Sequence, residues 1–105
     1  MADTLAYSGP LRRWQGDRGT YHLLSLTGDH AEKITTHAAL HRMEYGKQRG
    51  FGSVKVIARI GDTEWKSSVF PQDKSTEWIL LVSKKVMRAE NLAEGDSVGL
   101  ELELL

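Results

Sequence analysis

From Ser53 to Ile60 apolar and polar side chains largely alternate, the pattern resumes from Trp65 to Val69, and Gly61-Asp62 lies between the two runs. A period of two belongs to a strand and not to a helix. Glycine followed by aspartate is a two-residue turn that tolerates the positive φ of a tight hairpin. Folding there sets Ala58 opposite Trp65, Val56 opposite Ser67 and Val54 opposite Val69 on one face. The other face sets Arg59 against Glu64 and Ile57 against Lys66. Slipping by one residue would turn the whole apolar set to water, so this register is strongly specified. A lone hairpin is marginal in water, and the rest of the chain must supply further strands to cover it.

Those strands are legible on both sides. Leu5 to Trp14 reads as a strand interrupted by Gly9-Pro10, as an edge or a bulge would be. Gln15 to Gly19 is a turn by composition, and Thr20 to Leu26 reads as a mostly buried strand. Asp29 to His41 is predicted helical: Asp29 stands three residues before Glu32, as a capping box asks, and Ala31, Ala38, Ala39 and Leu40 favour helix. Gly46 and Gly50 close that region. Glu77 to Val82 is an apolar strand, and Ser83 is placed to cap a short helix through Glu90 with Val86 and Ala89 inward. After the turn Glu94-Gly95-Asp96, residues Val98, Leu100, Leu102 and Leu104 alternate with Gly99, Glu101 and Glu103. The sum is about six strands and two short helices in one mainly β domain spanning the chain, and closing a small barrel is the economical way to remove its edges.

Composition narrows the chemistry. The 105 residues hold 14 basic and 14 acidic side chains and no cysteine. No thiol nucleophile, disulfide or cysteine metal site is therefore available. Nucleic-acid binding is disfavoured by the zero net charge, because phosphate contacts supply most non-specific affinity. The acids Glu90, Glu94, Asp96, Glu101 and Glu103 make everything after Arg88 acidic. The longest apolar run, Ile79 to Val82, falls far short of a membrane span. Met1 to Leu5 shows no basic start followed by an apolar stretch, so the expectation is a cytoplasmic protein without a secretory signal.

Several features could carry function. His30, His37 and His41 fall on one arc of the predicted helix, and His37 with His41 has the spacing to chelate a metal, with Glu44 as a third ligand. No HExxH pattern supports that, since Ala38 follows His37, and neither a metal nor any other cofactor is expected. The plainer reading is a polar helix face, or an edge packed on the barrel with its imidazoles bonded to backbone. Arg49-Gly50-Phe51-Gly52-Ser53-Val54-Lys55-Val56 superficially matches an RNA-recognition signature, but Ser53 and Val56 replace two aromatics and leave Phe51 alone. Trp14, Tyr21, Trp65 and Trp78 are core or rim residues in most small barrels, and would line a ligand pocket if they met at a barrel mouth.

The runs Arg49 to Val56, Ile60-Gly61, Trp65-Lys66-Ser67-Ser68, Phe70-Pro71, Lys84 to Glu90 and Gly95-Asp96, with the Gly9-Pro10-Leu11 start, closely resemble the domain-of-unknown-function family 1905. The family carries no established activity to transfer. The resemblance implies a small double-split β-barrel, similar to the swapped-hairpin barrels of AbrB-like regulators. Thr27 and Leu81 stand where the family often has proline. The leading expectation is a non-catalytic binding module for a small molecule or a protein partner, monomeric or homodimeric. Its ligand-binding residues would be Trp14, Tyr21, Arg49, Phe51 and Trp65 around an aromatic opening. The alternatives are a small enzyme using His37 or His41 as a base, and DNA binding by analogy with the barrel regulators.

Overall fold

The computed structural model describes residues 3–45, 52–72 and 75–105, with Asp3, His41, Arg42, Glu44 and Tyr45 described through their backbone alone. Seven strands and two helices follow in the order β1 (Asp3–Pro10), β2 (Arg12–Gly16), β3 (Gly19–Leu26), α1 (Gly28–Tyr45), β4 (Val54–Ile60), β5 (Thr63–Pro71), β6 (Trp78–Val82), α2 (Lys84–Ala89) and β7 (Ser97–Leu104). All strand pairs are antiparallel and form one sheet, ordered β1-β7-β4-β5-β6-β3-β2.

The sheet is curled. Its two outermost strands, β1 and β2, are consecutive in the chain and are separated by Leu11 alone. Both backbone groups of Leu11 are held: its N–H donates to Asp96 O at 2.8 Å, and its carbonyl accepts from Gly95 N at 2.8 Å. Its side chain is buried in the core. One N-terminal segment thus runs along β7 with its first half and along β3 with its second, and Leu11 is the corner between them.

The β4–β5 hairpin has the predicted register at every pair, from Val54 with Val69 to Ile60 with Thr63. Gly61 takes φ +58° at its turn. A side chain there would run into the Glu90 carboxylate, which accepts from Thr63 Oγ1 at 2.6 Å. Alternate residues Val54, Val56, Ala58, Ile60, Val98, Leu100, Leu102 and Leu104 fill the concave side of the sheet with Leu24, Leu26, Val69, Leu80 and Val82.

Two helices close the two ends of this half-barrel. Ser83 caps α2, accepting from Val86 N at 3.2 Å, and Val86 is buried. Ala89 is exposed; the inward partner of Val86 is Met87, with Leu92 beyond it. Helix α1 buries Ala31 and Ile34 at the end where β3 stops and β6 starts, and Trp78 Nε1 donates to Thr35 Oγ1 at 3.0 Å.

Four details differ from the sequence reading. The first strand breaks at Leu11, one residue past Pro10, giving seven strands in place of six. Helix α1 starts one residue early and runs on to Tyr45, so it is not short, and Asp29 lies within its first turn. The turn of the first hairpin is confined to Asp17-Arg18. Strand β3 is buried only over Leu24, Ser25 and Leu26, and its first half, paired with β2 in a ribbon, is exposed or half-buried.

Candidate interaction surface

A barrel wall one sheet thick has one face inside and one face outside, so an all-apolar strand must expose half of its side chains. Strand β6 is such a strand, and pairing carries its pattern to its neighbours. Leu24 lies opposite Leu80 on the core side, which turns Leu23 and Leu81, also paired, to the outside. Ile79 is opposite Phe70 and outward for the same reason. On the ribbon, Trp14 is opposite Tyr21. The result is a diagonal stripe across β2, β3, β6 and β5: Trp14 and Tyr21, then Leu23 and Leu81, then Ile79 and Phe70.

Four of these side chains are large and open to solvent: Trp14 is 55% exposed, Tyr21 37%, Phe70 39% and Leu81 41%. The Trp14 and Tyr21 rings stack with centroids 5.6 Å apart and planes 30° apart. Stacking across a two-stranded ribbon stiffens it and presents a rigid aromatic platform. Arg12 flanks the stripe on β2 beside Leu23, and Glu77 flanks it just before β6.

The structure separates the remaining expected site residues. Trp65 lies on the core side of β5, opposite Ala58, half-buried and packed against the core cluster. It does not join Trp14 and Tyr21. Trp78 is a core residue. Arg49 and Phe51, and with them most of the glycine-rich run, lie outside the described residues.

The histidines of α1 meet backbone. His30 Nε2 donates to Ala6 O at 2.7 Å, and its ring stands edge-on to Tyr7 with centroids 5.2 Å apart. Lys33 Nζ donates to Thr4 O at 2.7 Å. Thr4 and Ala6 are alternate residues of β1, so α1 covers carbonyls on the strand edge that β7 does not use, which is a recognised protection of sheet edges. His37 Nε2 donates to the Leu105 backbone oxygen at 2.9 Å. The His41 side chain lies outside the described residues. Among the described residues no group of three or more His, Asp or Glu could hold a metal ion.

The other outward face, over β1, β7 and β4, holds a shallow open groove of about 430 Å³ lined by Ala6, Ser8, Arg59, Gly99 and Glu101 among others. Its charges answer one another, Arg59 Nη2 lying 3.6 Å from Glu101 Oε1 with both half-exposed. Among the described residues Ser25 is the one buried polar residue, and no buried side-chain nitrogen or oxygen lacks a partner. Apart from Ser25 the described core is apolar.

A curled antiparallel sheet with an apolar interior and a helix over each end defines a small β-barrel-like domain. The chain belongs to the family described as a domain of unknown function, DUF1905, whose model matches residues 7–102, nearly the whole chain. Among curated proteins none matches the sequence. No helix among the described residues is long and apolar enough to cross a membrane.

Sequence reasoning missed Leu23, Ile79, Leu81 and Phe70. The signal was present in the unbroken run Ile79-Leu80-Leu81-Val82. Strands apolar on both faces usually belong to sheets covered on both faces, and here the second face leaves Leu81 and Phe70 open to solvent.

Proposed function

We propose that this domain is a non-catalytic binding module that engages a protein partner through the outward stripe of β2, β3, β6 and β5. The observation that carries the reading is the contiguity of six outward apolar side chains in a molecule whose interior is already filled by its own. The largest apolar patch on a small domain is often functional. Tryptophan and tyrosine are the residues that most often dominate binding energy at such sites, and a stacked pair loses little entropy when it is covered. A small-molecule reading is less favoured, because ligand pockets are concave and this face is the outside of a curved sheet.

A photoreactive amino acid placed at Leu81 tests this in the full chain expressed in its own cells, with the same group at Glu101 as the control on the polar face. The expected result is discrete higher-mass adducts from position 81 and none from 101. Equal labelling from both positions, or none from 81, would refute the proposal.

A further inference from the structure

We infer that the partner covering this face is a second copy of the chain, packed stripe to stripe and turned end for end about a two-fold axis. The inference rests on the reading of the stripe as an interaction surface and adds the identity of the occupant.

Three observations support it. The stripe is nearly symmetric in composition about its middle: Leu23 and Leu81 form a central pair, with Trp14 and Tyr21 at one end and Ile79 and Phe70 at the other. Turning a copy over lays leucines on leucines and sets the Trp14–Tyr21 stack against the partner's Phe70 and Ile79, a match of rings with ring and branched side chain. A two-fold interface must be self-complementary in this way.

Charge obeys the same operation. Arg12 lies beside Leu23 on β2, and Glu77 directly precedes Trp78 and accepts through its carbonyl from Gln72 N, which puts it at the Phe70 end of the stripe. Reversing one copy brings each Arg12 towards the other's Glu77, so a single contact is made twice. Neither the Arg13–Glu94 pair nor the Arg59–Glu101 pair is disturbed, since each lies away from the stripe.

Area is consistent with a small interface. By the usual sizes of these side chains, the four most exposed ones present roughly 350 Å² per copy. With Leu23, Ile79 and the polar flanks the footprint falls at the low end of specific interfaces, the size class of weak or transient association.

Sedimentation velocity of the purified full chain, from low micromolar to millimolar concentration, is the test. Wild type should pass from monomer to dimer within the series. Leu81→Arg should stay monomeric throughout, with the circular dichroism spectrum and melting temperature of dilute, monomeric wild type, because the side chain points outward. Arg12→Glu and Glu77→Arg should each weaken the dimer about tenfold, and the double variant should recover most of that loss. A wild-type chain that stays monomeric overturns the second copy as partner, while position-81 adducts with a different protein would leave the binding-module reading standing. A dimer indifferent to Leu81→Arg, or charge reversals that do not compensate, overturns the arrangement. So does a monomer that binds a single-stranded oligonucleotide in a salt-dependent manner through Arg12, Trp14 and Tyr21, which would make the stacked rings a base platform.

Discussion

Replacing Leu80 with alanine is expected to cost about 2–5 kcal/mol of folding stability, whereas the same change at Leu81 should stay within about 0.5 kcal/mol. The two leucines are neighbours on β6 with opposite surroundings: Leu80 is 0% exposed and Leu81 is 41% exposed. Leu80 sits between Leu24 and Val69 at the middle of the sheet, where truncation leaves a cavity that β3 and β5 cannot close without breaking their pairing. For a domain of this size the loss corresponds to a melting temperature lower by about 10 °C or more. Thermal and urea unfolding of the two single variants measure the contrast. Equal losses at both positions would mean that β6 is covered on both faces, and the outward stripe would not exist.

The second large effect is expected at Ile34. Its side chain is wholly buried, and with Ala31 it is what α1 inserts into the end of the barrel. Ile34→Ala should cost about 2–5 kcal/mol. Loss of the helix should also release the β1 carbonyls that His30 and Lys33 hold, so amide exchange should quicken in β1 ahead of β4. Unfolding midpoints and hydrogen exchange on the variant test this together. Retained protection in β1 would show that α1 is an accessory and not the closure of that end.

The sequence disclosed different parts of the molecule for different physical reasons. The β4–β5 register was readable to the residue because two constraints agreed, a period of two and a turn that only Gly61-Asp62 could make. Ser83 and α2 were readable because capping is local chemistry. Helix α1 was readable as a helix but not in its extent, since among its described side chains the apolar ones packed on the core are Ala31, Ile34 and Ala38, too few to set a strong periodicity. The corner at Leu11 was misplaced by one residue because what fixes it is distant: two hydrogen bonds to the turn before β7.

The candidate site was half legible. Trp14 and Tyr21 stood out as aromatics, but their partners on the surface come from β6 and β5, far along the chain. Only the sheet order places Phe70 and Ile79 beside Leu81 and Leu23. Trp65 was drawn into the same group by residue type, although its place opposite Ala58 in the predicted hairpin already put it on the core side. The histidines also drew attention by type, and the structure gives His30 and His37 backbone oxygens as partners.

The central claim is that the molecule makes its contacts through the outward stripe. The most direct measurement is a methyl-resolved NMR spectrum of the full chain recorded as its concentration is raised. The expected shifts are confined to the methyls of Leu23, Ile79 and Leu81, with Leu24, Leu80 and Leu100 in the core and Ile57 on the opposite outward face unmoved. Shifts centred on Ile57, or a spectrum indifferent to concentration with no adducts from position 81, would contradict the claim.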